Sequence, residues 1–214
     1  PKARQSITEF TDLAYRMGIQ KLVLLSGRGE EEALACEQII RFSGMDWTIV
    51  RSAWFNQNFS EGAFRSMVQE GEIALPTGGT REPFVDVHDV VDVIIAALTE
   101  EGHEGKTYET TGPRLLGLED IAEELSSALG RTITFADIPH DVFLEGIEDM
   151  GMPAELVRLM DYLFATVMDG RNEKIGYGVQ EALGRPPRDF RDYASMTSLT
   201  GVWTPKRALN LVTA

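Results

Sequence analysis

Two glycines followed by a run of carboxylates form the first group of residues whose types and spacing could do chemistry. Gly27 and Gly29 come directly after the apolar run KLVLL (21–25), and a helical pattern follows them. A strand, a glycine loop and a helix N-terminus can together bind the pyrophosphate of a dinucleotide through backbone N–H groups. The G-x-G-x-x-G spacing, however, requires a glycine at position 32, where Glu32 stands.

The acidic side chains after the glycines make an anion site here less favourable still. Glu30, Glu31 and Glu32 place three carboxylates on the predicted first turn of the helix, where they stabilise the helix dipole but repel a phosphate. Neither the phosphate loop G-x-x-x-x-G-K-[S/T] nor the serine elbow G-x-S-x-G occurs in the sequence. We therefore predict that this loop does not bind a pyrophosphate.

Metal and thiol chemistry have little support in the sequence. The histidines are far apart, and no H-x-x-x-H or C-x-x-C spacing occurs. The only cluster of ligand-type residues is Asp86, His88 and Asp89, and Asp86 is better explained as the cap of a predicted helix. Cys36 has helical spacing to apolar neighbours, which predicts a core position rather than a reactive thiol. We expect no metal site.

The composition excludes several classes of partner. The chain has 214 residues, enough for a full core, and a net charge of −14 that is spread along the sequence. This acidic balance predicts neither nucleic-acid binding nor attachment to an anionic membrane. The single cysteine and the lack of a transmembrane-length apolar run lead us to expect a cytoplasmic protein. Because the sequence begins with Pro1 rather than methionine, we also expect it to be processed, trimmed or partial.

The order of the predicted elements is typical of a parallel α/β sheet. Apolar, β-branched runs at 21–25 and 47–51 alternate with helical patterns at 7–17 and 31–42. Further strands are predicted at 72–75, 84–85, 106–110 and 132–136, and further helices at 56–69, 88–99 and 118–129. The pattern beyond residue 138 is helical. We predict an α/β domain over 1–138, a helical lobe over 139–203 and a tail over 204–214.

Several stretches, taken in order, resemble one family. They are KLVLLS, CEQIIRFSGMDWTIVRSAWFNQNF, GEIALPTG, PFVDVHDVVDVIIAAL, GKTYETTGP, ALGRTITFADIP and GRPPRDF. Together they resemble the NmrA-like branch of the atypical short-chain dehydrogenases/reductases. The resemblance implies an α/β fold, the C-terminal half of a Rossmann-type parallel sheet with a small, mainly helical C-terminal lobe. It also implies NAD or NADP as cofactor.

Two departures from the family pattern limit what the resemblance implies. The family's first strand and its glycine-rich loop, which holds the pyrophosphate, have no counterpart here, so we expect the 214-residue chain to bind NAD(P) weakly or not at all. Reductases of the wider superfamily use Tyr-x-x-x-Lys for proton transfer, and the corresponding positions here are Gly29 and Ala33. None of the five tyrosines has a lysine four residues later, so no catalytic residue is identified.

The resemblance does imply a set of binding residues at the ends of two strands. Those for the cofactor are Ser26, Gly27, Ser52, Ala53, Trp54 and Phe55, and those for the substrate are Arg28 and Asn58. Structural alternatives stay open for four of them: a turn serine for Ser26, core packing for Phe55, helix capping for Asn58 and an exposed surface position for Arg28.

The implied function is NAD(P)-dependent hydride transfer to a small, quinone-like acceptor. The alternative is a non-catalytic NAD(P)-sensing regulator that binds a protein partner, and a homo-oligomer is also open. We expect the helical lobe to close over the carboxyl edge of the strands, so that Phe55, Asn58 and part of a helix over 154–168 border one cavity. The Leu and Met stripe of that helix suits either core packing or a ligand wall.

Overall fold

Strands and helices alternate along most of the chain in a computed structural model that describes residues 2–205. No helix in that range is both long and apolar enough to cross a bilayer. The strands are β1 (Lys21–Gly27), β2 (Asp46–Ser52), β3 (Glu72–Leu75), β4 (Lys106–Thr110) and β5 (Thr134–Asp137). The helices are α1 (Lys2–Arg16), α2 (Glu31–Arg41), α3 (Arg65–Glu70), α4 (Val87–Thr99), α5 (Leu118–Leu129), α6 (His140–Asp149), α7 (Ala154–Tyr162), α8 (Gly178–Leu183) and α9 (Phe190–Ser198), with a 3₁₀ turn over Asn56–Phe59 and a π-helical turn over Leu163–Val167.

The main sheet has three parallel strands in the order β1-β2-β4. Successive side chains of β1 point to opposite faces: Leu22 and Leu24 pack with α1 and α2, whereas Val23 packs with α4 and α8. Because helices cover both faces, the strands are apolar at consecutive positions instead of alternating apolar and polar residues. This explains why the sequence shows the continuous runs KLVLL and WTIV.

A second, two-stranded sheet pairs β3 with β5 in parallel and carries the largest hydrophobic core. Helices α5, α6, α7 and α9 contribute to this core, together with Phe59 of the 3₁₀ turn. The indole N–H of Trp203 donates to the carbonyl oxygen of Phe59 at 2.6 Å. The C-terminal helices are therefore packed into the same core as residues that follow β2.

The predicted α/β class and most predicted elements are confirmed, and β3, β4 and α5 have the predicted bounds. Two predictions were wrong. The strand predicted at 84–85 is only an isolated bridge between Phe55 and Val85, and the helix predicted at 56–69 is split into the 3₁₀ turn and α3. The domain boundary after residue 138 stays a prediction, and residues 206–214 of the predicted tail lie outside the described residues.

A buried ion pair joins α2 to the sheet. Glu37 is 1% exposed, and its carboxylate accepts hydrogen bonds from Nε and Nη2 of Arg51 at 2.9 and 2.6 Å. Arg51 of β2 also donates to Glu109 of β4 at 2.9 Å. Ser26 of β1 donates its hydroxyl to Glu37 at 2.8 Å. One carboxylate thus links a helix to two strands, and Arg51 extends the link to the third.

The pKa of Glu37 follows from these contacts. Burial acts to raise this pKa, but the hydrogen bonds from Arg51 and Ser26 outweigh burial and hold it below its usual value. A lowered folded-state pKa means that the pair stabilises the fold at neutral pH. That stabilisation is lost as the pH falls through the folded-state pKa of Glu37.

We predict that Glu37→Ala lowers the free energy of unfolding by about 3 kcal/mol, because it leaves the largely buried guanidinium of Arg51 without its main acceptor. Urea unfolding at neutral pH measures this. The matched control is Glu32→Ala on the same helix α2, which removes an exposed ion pair with Arg4 of α1 and should leave the urea midpoint nearly unchanged. Equal effects of the two substitutions would contradict the structural role of Glu37.

Candidate functional site

The carboxyl ends of β1 and β2 open into a cavity of about 370 Å³. The parallel register pairs Gly27 with Ser52, so the loops that follow the two strands lie side by side. Open α/β sheets bind ligands at this edge. The structure brings all the predicted binding residues together, since each of them lines the cavity: Ser26, Gly27, Arg28, Ser52, Ala53, Trp54, Phe55 and Asn58.

The C-terminal lobe supplies another wall of the cavity. Met160 of α7 and Leu163 and Val167 of the π-helical turn line it. Trp54, on the loop after β2, stacks on Phe64 with a ring-centroid separation of 6.3 Å. The expected closure of the helical lobe over the strand ends is therefore confirmed. Met160 packs against the core and lines the cavity, and Leu163 and Val167 line it as well. Leu156 and Leu159 of the same predicted stripe are exposed, so the interpretations of the stripe as core or ligand wall hold for only part of it.

The two serines at the strand ends have hydroxyl groups that are already donated within the protein. Ser26 donates to Glu37 at 2.8 Å, and Ser52 donates to the carbonyl oxygen of Ala53 at 2.9 Å. Each hydroxyl oxygen keeps lone pairs that can accept a hydrogen bond. A ligand at this edge would therefore have to donate to these serines, for example from a ribose hydroxyl or a carboxamide.

Phe55 and Asn58 both face the cavity but differ in what holds them. The backbone of Phe55 bridges to Val85, which leaves its half-buried ring at the cavity edge. Asn58 lies inside the 3₁₀ turn, where Phe55 occupies the N-cap position and no side chain caps the turn. Helix capping by Asn58 was therefore a wrong alternative, and its carboxamide remains a polar group of the cavity wall.

Arg28 is buried, and the interpretation of it as an exposed surface arginine was wrong. Its side chain is 3% exposed. The guanidinium donates to the carbonyl oxygens of Asn172 and Lys174 at 2.9 and 2.8 Å, and its Nε lies 3.4 Å from the carboxylate of Glu109. Arg28 thus fastens the loop after β1 to the segment that follows the π-helical turn.

Gly29 is required for the same attachment. Its φ of 79° lies in the left-handed region, which favours glycine. A Cβ at this position would lie 2.7 Å from the side-chain nitrogen of Asn172. Arg171 also donates to the carbonyl oxygen of Gly29 at 3.2 Å. Gly29 therefore allows close contact between the loop after β1 and the lobe.

Glu30 occupies the N-cap position of α2, so only Glu31 and Glu32 lie on the first helical turn, contrary to the expectation of three carboxylates there. Its side chain does not cap the helix. Instead it lies against Gly27, where any Cβ would overlap its carboxylate, and it lines the cavity. Burial raises the pKa of Glu30. The sequence signal for this residue was a carboxylate directly after the two glycines that follow β1's apolar run, and it was interpreted only as a barrier to phosphate.

Glu82 is a second carboxylate whose environment the sequence did not reveal. It is 1% exposed, and within residues 2–205 neither carboxylate oxygen has a hydrogen-bond partner. Burial raises the pKa of Glu82 to about 7, although the positive charge of Arg28 opposes the rise. The backbone of Glu82 bridges to Leu116, which holds the side chain inside the protein.

The remaining candidate groups have structural explanations. Asp86 caps α4 by accepting from the backbone N–H of His88, as predicted, and Cys36 is buried. Within residues 2–205, no group of three or more His, Cys, Asp or Glu side chains could hold a metal ion.

No tyrosine in that range lines the cavity. The cavity therefore offers an apolar binding space with few polar groups, and no tyrosine acid.

The fold and the site together define a class, a Rossmann-type parallel α/β sheet with helices on both faces and a cavity at the carboxyl edge of its strands. The NmrA-like family model matches residues 32–193. The chain belongs to the NmrA-like family, and the resemblance drawn from the sequence is confirmed.

The chain is similar to proteins of more than one kind. It is 32% identical over 158 residues to an NAD(P)H azoreductase from Xenophilus azovorans, across 74% of this chain and 55% of the azoreductase. Its structure resembles the NADPH complex of the quinone oxidoreductase QOR2 from Escherichia coli, with a TM-score of 0.80, 19% identity and coverage of 90% and 71%. It also resembles NmrA, a negative transcriptional regulator, in complex with NADP (TM-score 0.60, 16% identity, coverage of 91% and 71%).

The extent of these similarities limits what they establish. At this level of identity, the two solved structures show a shared fold alone. The chain spans 55% of the length of the azoreductase and 66% of that of a second curated relative.

We predict that Glu82→Gln stabilises the protein above neutral pH and not at pH near 4. Between about 4.5 and about 7 the unfolded chain loses the Glu82 proton while the folded chain keeps it, so the free energy of unfolding falls with rising pH. The fall is on the order of 3 kcal/mol at about 1.4 kcal/mol per pKa unit. Glutamine is uncharged at every pH in this range, so the free energy of unfolding of the variant does not fall for this reason.

Thermal unfolding of both proteins across this pH range measures the difference. Glu72→Gln, at an exposed position of β3, is the control and should change the melting temperature little at either end. A stability difference between wild type and Glu82→Gln that does not change with pH would refute the prediction.

Proposed function

We propose that the protein is an NAD(P)-dependent oxidoreductase that transfers hydride to a small, flat, apolar acceptor such as a quinone. The observation that carries the proposal is the apolar cavity at the carboxyl ends of β1 and β2, walled on one side by the helical lobe. In an open α/β sheet this is the place where a ligand binds. The names of the azoreductase and quinone oxidoreductase relatives agree with such an activity.

The residues of the cavity fit the nicotinamide end of the cofactor. Gly27 has no side chain, and the strand-end backbone at Ser52 to Phe55 borders the same space. Ser26, Gly27 and the segment from Ser52 to Phe55 would hold the nicotinamide and its ribose, with the serine oxygens accepting hydrogen bonds. The bound cofactor supplies the hydride, and the chain supplies the geometry.

The substrate side of the proposal rests on Asn58 and on the lobe. The Asn58 carboxamide is a polar group of the wall that could orient an acceptor carbonyl. Arg28, whose guanidinium is bound to lobe carbonyls, would shape the substrate space by fixing the lobe and not by direct charge pairing. Met160, Leu163 and Val167 would exclude water from the reacting atoms.

A second candidate function is NAD(P) sensing coupled to binding of a protein partner. Two observations favour it: no tyrosine lines the cavity among the described residues, and the fold is similar to that of the regulator NmrA. Turnover separates the two candidates, because a sensor binds the dinucleotide without consuming it.

The test is oxidation of NADH and NADPH with a panel of small quinones, followed through nicotinamide absorbance. It uses the 214-residue chain and the complete product of its gene. Ala63→Trp should slow turnover at least about tenfold, because Ala63 lines the cavity at an exposed position where an indole would fill it. Ser66→Trp, which is exposed outside the cavity, should leave turnover unchanged. Cofactor binding without turnover with any acceptor would favour the sensor.

We further predict that no tyrosine serves as the general acid. In the protein that shows turnover, Tyr→Phe at Tyr15, Tyr108, Tyr162, Tyr177 and Tyr193 should each leave the rate within about tenfold, because a general acid contributes about 10²–10⁴-fold. Stopped-time assays at saturating acceptor measure this. A loss beyond a hundredfold at one tyrosine, with the melting temperature retained, would disprove the prediction.

A further inference from the structure

A second cavity, of about 400 Å³, is bordered by the 3₁₀ turn after β2, the start of α4 and the helix α9. It shares no lining residue with the cavity at the strand ends. Adjacent residues of the turn border different cavities, since Asn58 lines the one at the strand ends and Gln57 lines the second. The second cavity is therefore a separate space that the proposed hydride transfer does not use.

The charged groups of the second cavity are acidic. Glu61, Asp86 and Asp192 line it, and within residues 2–205 no lysine or arginine does. Arg65 approaches its edge, where Nε donates to the carbonyl oxygen of the lining residue Val202 at 3.3 Å. Three carboxylates without a lining cation favour a positively charged ligand over a neutral or anionic one.

Asp86 has a buried carboxylate with one oxygen in use. The residue is 4% exposed. Its Oδ1 accepts from Nε2 of Gln57 at 3.0 Å and from the backbone N–H of His88 at 2.9 Å, and Nδ1 of the His88 ring lies 2.8 Å from the same oxygen. In the described part of the chain no group donates to Oδ2. Because a buried acceptor without a donor is costly, a ligand that donates to Oδ2 gains free energy.

Tyr193 of α9 brings a second unpartnered group to the same cavity. It is 6% exposed, and its hydroxyl makes no hydrogen bond with any residue from 2 to 205. The polar side chains nearest to it, Ser60 and Thr197, line the second cavity as well. Burial raises the pKa of Tyr193, and the negative charges of Asp86 and Glu61 act in the same direction. The hydroxyl therefore stays neutral beside these carboxylates, with an oxygen that can accept a hydrogen bond.

The separation of the carboxylates excludes a metal ion as the ligand. Glu61 follows the 3₁₀ turn, Asp86 precedes α4 and Asp192 belongs to α9. No three His, Cys, Asp or Glu side chains within residues 2–205 are close enough together to hold a metal. The ligand must therefore carry positive charge at more than one point. Met196 and Val202 add apolar surface to the cavity, which suits an alkyl chain between the charges.

We propose that the second cavity binds a small alkyl diamine. One ammonium group donates to Oδ2 of Asp86 and to the hydroxyl oxygen of Tyr193, which are the two buried groups without a partner. The other ammonium group pairs with Asp192 and Glu61 at the exposed end of the cavity, and the alkyl chain packs against Met196. An ammonium group has three donors and no acceptor, which matches a cavity rich in carboxylate and hydroxyl oxygens. The proposal does not depend on the oxidoreductase activity.

Calorimetric titration of the 214-residue chain at neutral pH tests the proposal. The probes are 1,4-diaminobutane and 1-aminobutane, which has a single ammonium group. Wild-type protein should bind one diamine per chain, about fivefold more tightly than the monoamine. Asp192→Asn should weaken diamine binding about fivefold, because it removes an exposed ion pair. Tyr193→Phe should weaken it about tenfold, because it removes a hydrogen bond to a charged group.

The control is Glu101→Gln, which removes a negative charge from an exposed position outside the cavity and should bind the diamine as wild type does. Melting temperatures should stay nearly unchanged in all three variants. If Tyr193→Phe lowers its melting temperature, Asp192→Asn decides alone.

Absence of saturable diamine binding, or equal affinities for the diamine and the monoamine, would overturn the proposal. Unchanged diamine binding in Asp192→Asn would do so as well. An equal loss in Glu101→Gln would show a response to net charge without a site. Displacement of the diamine by magnesium chloride at equal ionic strength of sodium chloride that has no effect would identify a metal site and refute the ligand class.

Discussion

The hydrogen-bonded pair between Glu37 and Arg51 fixes the strand ends on which the cavity is built. Ser26 and Arg51, which both contact Glu37, immediately precede Gly27 and Ser52, the last residues of their strands. A buried charge that loses its partner is costly, so these residues cannot shift separately. The relative position of the two loops after β1 and β2 is therefore set one residue before the loops begin. The positions of the cavity-lining residues on these two loops are fixed in the same way.

The lobe is attached to the loop after β1 by polar contacts, whereas the residues that follow β2 share its apolar core. Arg28 is hydrogen-bonded to Asn172 and Gly29 to Arg171, while aromatic side chains around Phe59 fill the lobe core. Glu82 has the opposite character, because its buried carboxylate has no hydrogen-bond partner in the described part of the chain and weakens the fold at neutral pH. Unsatisfied polar groups of this kind commonly accompany functional regions, where stability is not the only constraint on the sequence.

The sequence predicted the elements whose signals are local. Strand β4 and helix α5 were predicted to the residue, because their apolar spacing and flanking glycines lie within a few positions. The bridge at Val85 was mistaken for a strand because a two-residue apolar run cannot show that its only partner is Phe55. Arg28 was placed on the surface for the same reason: its partners lie 144 and 146 residues away, and no local pattern reports them.

The sequence did predict which residues border the cavity, because residues at the carboxyl ends of neighbouring parallel strands must lie close together. The position of the Glu30 carboxylate against Gly27, in the cavity wall, could be seen only in three dimensions.

The contacts with the lobe join residues that are far apart in the sequence, and this affects the order in which the cavity forms during folding. The hydrogen bonds from Arg28 to Asn172 and from Trp203 to Phe59 each span 144 residues. Closing such loops costs conformational entropy that the β1–β2 pairing, with a separation of about 25 residues between partners, largely avoids. On a ribosome the sheet edge can therefore assemble while the lobe is still being synthesised. Trp54 and its aromatic neighbours would face water during that interval, as an apolar surface open to chaperones, until α7 and the π-helical turn emerge and pack over the sheet edge.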